Sequence, residues 1–208
     1  MSDMNNEQQV NMDKEKADLR KIFFQRRREI FHKNLDVAED TSKAEYLACN
    51  NFLDRIPFAE YQVIAGYCPI RTELDPFPLM KELHARSHMV CVPVITEHAS
   101  PLIFREWSPE CKMEEGEFGA NVPVDGRWIE PTLLIVPLLA WSNSGERMGY
   151  GGGFYDRTLY YLRSRRHVLA VGYAFHGQEV ESVPCDQYDQ ALDFIVSESG
   201  VAGFGEYA

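Results

Sequence analysis

Residues 133–157 read Leu133-Leu-Ile-Val-Pro-Leu-Leu-Ala-Trp141, then Ser-Asn-Ser, then Gly145-Glu-Arg-Met-Gly-Tyr-Gly-Gly-Gly-Phe-Tyr-Asp-Arg157. The apolar run predicts a buried strand, and the pattern from Phe154 to Arg165 predicts a helix. Glycine allows a positive φ or a close approach of the backbone to a ligand. Backbone N–H groups before a helix lie at the positive end of its dipole, where an anion can bind. The stretch therefore indicates either an anion-binding strand–loop–helix unit or an ordinary glycine-rich turn.

Neither of the two common phosphate-binding motifs fits this loop. A P-loop ends in Gly-Lys-Ser/Thr, and that tripeptide does not occur in the sequence. The dinucleotide-binding pattern begun at Gly149 would require glycine at position 154, where the chain has Phe154.

The remaining chain alternates between short apolar runs and helical patterns, which is typical of βαβ units. We predict a three-layer α/β/α fold with a mainly parallel, Rossmann-like sheet in a single domain over residues 13–208, preceded by a disordered leader over residues 1–12. The acidic segment 107–128 is expected to be irregular, either a mobile flap or a solvated loop, with the loop favoured. The predicted strands cover residues 62–67, 89–95, 102–106, 133–139, 168–174 and 194–197, and the predicted helices cover residues 13–33, about 42–55, 76–86 and 154–165.

The charge distribution limits the kinds of partner. The 208 residues carry a formal net charge of −11, which argues against general nucleic-acid binding. An anionic protein that binds anionic substrates must gather its cations locally, and the predicted first helix is rich in them. Lys16 and Arg20 are four residues apart and leave that helix in one direction, whereas Arg26, Arg27 and Arg28 are predicted to lie on the surface.

The cysteines and the apolar runs indicate the compartment. The five cysteines are scattered and form no C-x-x-C pair, which favours reduced thiols in the cytoplasm. The apolar run from Leu133 to Trp141 is too short to cross a bilayer, which takes about 20 residues. We therefore expect a cytoplasmic protein with no membrane partner, present as a monomer or a small homo-oligomer.

The segment from Arg147 to Asp156 resembles the signature of the 5-formyltetrahydrofolate cyclo-ligases, roughly Arg-Leu-Gly-x-Gly-x-Gly-Tyr-Tyr-Asp. Other landmarks of the family recur in order: Lys16-Ala-Asp-Leu-Arg20, residues 67–73, Gln178, Pro184 and Asp189. The resemblance covers about residues 14–198. It implies ATP-dependent closure of 5-formyltetrahydrofolate to 5,10-methenyltetrahydrofolate, with ADP and phosphate as the other products.

The resemblance also implies roles for individual residues. Catalysis falls to Arg147 and Lys16, and a Mg²⁺ ion is held by Asp156 and Asp189. ATP binding is expected from Lys16, Arg20, Arg147, Met148, Gly149, Tyr150, Gly151, Gly152, Gly153, Phe154 and Tyr155. The folate substrate is expected to contact Cys68, Glu73, Tyr150, Gly151, Gly152, Gly153 and Phe154.

Ser142 departs from the family pattern, which usually has an aspartate at this position. This difference makes a non-catalytic nucleotide- or folate-binding relative the alternative to an enzyme. A further alternative, a sugar-phosphate isomerase or acyl-transfer relative on a similar sheet, leaves the signature and the Lys16–Arg20 pair without a task.

Overall fold

The computed structural model describes residues 2–37, 42–57 and 63–208, apart from the side chains of residues 2–10 and of Phe118. The helices are α1 (Ser2–Leu35), α2 (Ala44–Arg55), α3 (Phe77–Ala85) and α4 (Phe154–Arg163). The strands are β1 (Val63–Ala65), β2 (Met89–Val94), β3 (Ile103–Glu106), β4 (Met113–Glu115), β5 (Asn121–Pro123), β6 (Leu133–Val136), β7 (Ala140–Ser142), β8 (Arg147–Met148), β9 (Leu169–Tyr173), β10 (Glu179–Val180), β11 (Phe194–Ser197) and β12 (Gly200–Gly203).

A seven-stranded sheet in the order β12-β11-β9-β6-β1-β2-β3 forms the centre. The five inner strands are parallel to one another, and the edge strands β12 and β3 run antiparallel to them. The chain runs from β1 towards the β3 edge, and from β6 towards the β12 edge. The order therefore reverses between β1 and β6, and such a switch point leaves a crevice at the carboxyl ends of the strands.

Both faces of this sheet are buried because successive side chains of a strand point to opposite sides. On one face, strand residues such as Ile64 and Ile135 pack against α2 and α3, including Phe52 and Leu79. On the other face, alternating residues such as Leu134 pack against α4. The predicted three-layer, mainly parallel architecture is confirmed, and the apolar run at residue 133 supplies the middle strand, β6.

A small three-stranded sheet, β10-β7-β8, lies beyond the end of β6. Helix α1 packs on it through Phe23, with Leu139, Ala140, Met148 and Val183 in the same apolar cluster. This contact carries the basic face of α1 to the glycine loop that follows β8. The neighbouring Ile22 is 60% exposed, so only one face of this helix is covered.

The segment 107–128 differs from its prediction. It contains the antiparallel pair β4–β5, with Met113 paired to Pro123 and Glu115 to Asn121, so it is not irregular throughout. Residues of this hairpin and its turn also line the crevice, namely Glu117, Ala120 and Val122.

Two further features concern the ends of elements and the leader. Residues 2–12, predicted as a disordered leader, form the first turns of α1 in this structure. Gln62, predicted to open the first strand, lies outside the described residues.

Within the described ranges, no helix has the length and apolar character needed to cross a bilayer.

Candidate active site

A cleft of about 1250 Å³ opens at the carboxyl ends of the central strands. Tyr67 and Cys68 follow β1, Pro137 follows β6, and Ile95 follows β2, so the cleft lies at the switch point of the sheet. Every site residue predicted from the sequence lines this one cleft. These residues are Lys16, Arg20, Cys68, Glu73, Asp156, Asp189 and the run from Arg147 to Tyr155.

The glycine loop runs between β8 and the first turn of α4. Gly151 has φ 95° and Gly153 has φ 63°, and the latter is the residue that caps α4. These left-handed conformations explain why glycine is required there, since a Cβ would be strained. The loop thereby brings the N-terminus of a ten-residue helix to the cleft, where its dipole favours an anion.

Three cations surround the loop from two distant parts of the chain. Arg20 on α1 donates from Nε to the Gly149 carbonyl at 3.2 Å. Arg147 on β8 is 9% exposed, and it donates to the Gln190 carbonyl and, at 2.6 Å, to Oδ1 of Asp156. Lys16 is also buried, one turn before Arg20 on the same helix. The cleft thus brings cations to the loop, two of which, Lys16 and Arg147, are paired with carboxylates of the same lining.

Lys16 is held by two carboxylates of the loop that precedes β11. Its Nζ lies 2.6 Å from Oδ2 of Asp189 and 2.9 Å from Oδ2 of Asp186. Burial favours a lower pKa for Lys16, but the bonds to Asp189 and Asp186 outweigh it and hold that pKa above its ordinary value. Lys16 therefore stays charged.

The two carboxylates predicted to bind a metal are already engaged with cations. Asp156 accepts from Arg147 and from the Gln190 N–H at 3.1 Å, both through Oδ1. Asp189 accepts from Lys16 and from the Asp186 N–H, both through Oδ2. Among the described residues, no group of three or more His, Cys, Asp and Glu side chains is arranged to hold a metal ion.

Glu73 also lines the cleft, on the loop after β1. It is 5% exposed, and its Oε2 accepts from the Ile70 N–H at 2.8 Å. Burial raises the pKa of Glu73 to about 7, although the Ile70 N–H, Arg27, Tyr150 and Arg71 all favour the ionised form. This carboxyl group is therefore poised to change its charge near neutral pH. Burial also raises the pKa of the nearby Cys68 thiol to about 12, so Cys68 is an uncharged lining residue.

The surface position predicted for Arg27 is wrong. Arg26 and Arg28 are exposed, as predicted, but Arg27 is 0% exposed and donates to Thr72, Leu138 and the Tyr150 hydroxyl. Sequence reasoning missed it because a run of three arginines on a helix is usually solvated. The apolar residues around it, Phe23 and Phe24 before and Ile30 after, were the available signal for the buried face.

Arg71 is the second residue that the sequence did not single out. It lines the cleft beside Glu73 with φ 57°, a strained conformation for a residue with a side chain. Its guanidinium carbon lies 5.2 Å from the centre of the Phe24 ring and 5.9 Å from that of Tyr150. Its cation is thus held at the rim of the cleft.

Ser142, at the position where the family usually has aspartate, has a carboxylate partner. Its hydroxyl donates to Oε2 of Glu146 at 2.7 Å, and its N–H donates to the Glu146 carbonyl at 3.0 Å. These bonds close the turn between β7 and β8, with Gly145 at φ 82°. A carboxylate is therefore present beside position 142, supplied by the other side of the turn.

Comparisons with known proteins identify the family of this chain. The model of the 5-formyltetrahydrofolate cyclo-ligase family matches residues 12–198. The 5-formyltetrahydrofolate cyclo-ligase of Escherichia coli K12 is 32% identical over 151 residues, covering 70% of this chain and 82% of that protein. The Haemophilus influenzae protein of the same name is 31% identical over 163 residues, covering 74% and 86%.

Solved structures show the same fold. The NMR structure of 5,10-methenyltetrahydrofolate synthetase from Aquifex aeolicus superposes with a TM-score of 0.68 at 28% identity, covering 88% of this chain and 92% of that one. A 5,10-methenyltetrahydrofolate synthetase from Mycoplasma pneumoniae gives a TM-score of 0.61 at 20% identity, covering 85% and 98%. With the family model matched over nearly the whole length, this chain belongs to the 5-formyltetrahydrofolate cyclo-ligase family of ATP-dependent ligases.

Proposed function

We propose that this chain uses ATP to convert 5-formyltetrahydrofolate into 5,10-methenyltetrahydrofolate, ADP and phosphate. The observation that carries the proposal is the cleft itself. Lys16, Arg20 and Arg147 line it around the glycine loop, and Glu73 lines it beside Tyr150 of the same loop. A nucleotide phosphate chain and a folate ring bound in these two places would meet at the loop.

The need for ATP follows from the chemistry of the formyl group. The group is an amide on N5, and ring closure onto N10 requires its oxygen to leave. Oxide is a very poor leaving group, whereas phosphate is a good one. Transfer of the γ-phosphoryl group to the formyl oxygen breaks its bond to ADP and gives an imidate phosphate. N10 then attacks the formyl carbon, phosphate departs with the oxygen, and N10 loses its proton.

The protein's contribution to this reaction is positioning and positive charge. Arg147, Lys16, Arg20 and the N–H groups of residues 149–155 would hold the phosphates and stabilise the charge that develops during transfer. Glu73, with Cys68 and Tyr150 beside it, would accept from N–H donors of the folate. Charge-assisted bonds of this kind contribute about 1.5–3 kcal/mol each.

Mg²⁺ is proposed to accompany ATP. The described bonds of Asp156 and Asp189 use one oxygen of each carboxylate, which leaves the second oxygen of each for a cation. This donor set fits Mg²⁺, which is typically held by one or two carboxylates together with substrate phosphates and water. When bound, the ion would neutralise charge on the phosphates.

One assay separates the proposed function from its alternatives. Protein, Mg-ATP and 5-formyltetrahydrofolate are mixed, and the near-UV absorbance of the methenyl product is followed. We expect absorbance growth that stops without ATP and falls when EDTA removes the metal. Binding of both ligands without turnover would favour a non-catalytic relative. Failure to bind either ligand would exclude both of these functions.

Arg147→Ala is the variant that tests the phosphate end of the cleft. Removing one donor that acts on the transition state lowers kcat by about 10²–10³, or about 2.7–4 kcal/mol. We expect a loss in that range, with the KM for folate changed much less. Arg163→Ala is a suitable control, because Arg163 pairs with Asp193 away from the cleft lining. Unchanged turnover in Arg147→Ala would remove this residue from the mechanism.

The proposed setting follows from composition. We place the enzyme in the cytoplasm, as a monomer or small homo-oligomer without nucleic-acid or membrane partners. The scattered cysteines and the formal net charge of −11 support this setting.

A further inference from the structure

Arg27 is the largest fully buried side chain among the described residues. Burying a guanidinium removes it from water at a cost of several kcal/mol unless good partners replace the water. Its nearest carboxylate, Glu73, has Oε1 3.9 Å from Nη1, longer than a charge-assisted hydrogen bond. The charge of Arg27 is therefore placed beside Glu73 without forming a tight bidentate pair.

The hydrogen bonds of Arg27 join three separate loops. Nε donates to the Thr72 hydroxyl after β1 at 3.2 Å, and Nη1 donates to the Leu138 carbonyl after β6 at 3.2 Å. Nη2 donates to the hydroxyl of Tyr150 in the glycine loop. Since β1 and β6 flank the switch point, one planar group connects both walls of the cleft to the loop between them.

Arg27 is linked to the cleft through Tyr150 and Glu73. The Tyr150 hydroxyl accepts from Arg27 and lies beside the Glu73 carboxylate, whose ionised form it favours. The Arg27 guanidinium also lies 5.2 Å from the centre of the Tyr150 ring. Arg27 does not line the cleft. Its influence on a ligand must pass through Tyr150 and Glu73.

We infer that Arg27 is a positioning residue for folate binding, which fixes Tyr150 of the glycine loop beside Glu73 and joins the loops on the two sides of the cleft. The inference rests on the proposed function, since it assigns the folate to the part of the cleft beside Glu73. Two properties are involved. The positive charge favours the ionised form of Glu73. The three hydrogen bonds of the planar guanidinium fix the loops. Only arginine supplies both properties.

The charged and titratable groups around Glu73 set the direction of the expected change. Arg27 from α1, Arg71 from the same loop and the Tyr150 hydroxyl all favour the carboxylate. Tyr67 after β1 and Tyr155 on α4 also face it, and burial raises the pKa of each, so both are neutral. Loss of the Arg27 charge therefore moves the pKa of Glu73 upward and lowers the fraction of carboxylate at neutral pH.

The experiment compares Arg27→Met and Arg27→Lys with wild type and with Arg28→Met, the adjacent exposed arginine. kcat/KM for 5-formyltetrahydrofolate is measured from pH 5.5 to 9 at saturating Mg-ATP, together with the KM for ATP. In wild type we expect kcat/KM to fall as the pH drops below about 7, and this fall is the acid limb of the profile. In Arg27→Met the limb should move to higher pH, with a loss of about tenfold or more at pH 7 and little change in the KM for ATP.

Arg27→Lys separates charge from geometry. Lysine keeps the cation but not the planar fork, so the acid limb should stay near its wild-type position while kcat/KM for folate stays low. Arg28→Met should superimpose on wild type. If Arg27→Met does not fold, Arg27→Lys is the test. Its kcat/KM for folate should fall while its KM for ATP stays near the wild-type value.

Two results would overturn the inference while wild type is active. The first is a kcat/KM for 5-formyltetrahydrofolate that matches wild type in Arg27→Met, or in Arg27→Lys if Arg27→Met does not fold. The other is an equal loss for both substrates with an unmoved acid limb, which is what a purely structural role produces. A wild-type protein that forms no product contradicts the proposed function instead, so the two failures are distinguishable.

Discussion

At the scale of single residues, Glu73 illustrates how burial changes a carboxyl group. A solvated glutamate is ionised throughout the neutral range, but burial raises the pKa of Glu73 to about 7 against four stabilising neighbours. Burial disfavours the ionised form of this carboxyl group because it removes water. A ligand with N–H donors bound in the cleft would replace the hydrogen bonds of that water. Such a perturbed group in a cleft is typical of functional sites.

Glu73→Gln should change how stability depends on pH. Because the folded-state pKa lies above the ordinary value of 4.5, the stability from Glu73 is complete below about pH 4.5 and is lost as pH rises through about 7. Glutamine mimics the protonated form at every pH. Between pH 5.5 and 8, the free energy of unfolding of wild type should fall relative to Glu73→Gln by on the order of 2 kcal/mol.

Urea unfolding at the two pH values measures this difference. Glu117→Gln is the matched control, because Glu117 also lines the cleft but is exposed. A constant difference between wild type and Glu73→Gln at both pH values would show that Glu73 titrates as an ordinary carboxylate.

At the scale of elements, the glycine loop depends on conformation more than on side chains. Gly153 caps α4 with a positive φ, and a Cβ there would lie 2.6 Å from Nη1 of Arg157. Gly149 has no positive φ, and a Cβ there would meet no atom within 4 Å. The two glycines therefore differ in what they contribute to folding, although both line the cleft.

Gly153→Ala should be less stable than wild type by about 1–2 kcal/mol, the cost of a left-handed residue with a side chain. Gly149→Ala should stay within about 0.5 kcal/mol of wild type, because its backbone is compatible with alanine. Both values come from urea denaturation followed by circular dichroism. Equal stability of the two variants would mean that the loop can change conformation at Gly153 without strain.

At the scale of the whole molecule, the cleft joins segments that are remote in sequence. Lys16 on α1 contacts Asp186 and Asp189 near the other end of the chain, and Arg20 contacts the glycine loop. A nucleotide bound among these groups would bridge α1 to the rest of the fold. Binding to the folded state alone stabilises a protein by mass action.

Mg-ATP at about 100 times its Kd should therefore raise the free energy of unfolding by about 2.7 kcal/mol. At the same nucleotide concentration, Lys16→Met should lose most of this gain, since a buried cation is missing. Lys14→Met, an exposed change on the same helix, should keep it. Thermal unfolding with and without nucleotide measures the effect, and equal stabilisation of the two variants would exclude Lys16 from the phosphate site.

Much of the architecture could be predicted from local patterns. The middle strand β6, helix α4 and the glycine loop between them follow from an apolar run, a 3.6-residue period and residues without a Cβ. The short strands β7, β8 and β10 could not be found this way. They have two or three residues each, too few to show an alternating pattern. Strand β7 pairs with β8 across a tight turn, and β10 pairs with β7 from a distant part of the chain.

The sequence by itself determined the layered parallel fold and part of the cleft lining, because periodicity, glycine positions and the family signature are local properties of the chain. Only the tertiary structure decided which charges are buried. Arg27 bonds residues 45, 111 and 123 positions away, so its environment is set by packing between elements. The same holds for Glu73, whose charge depends on how completely the fold removes it from water.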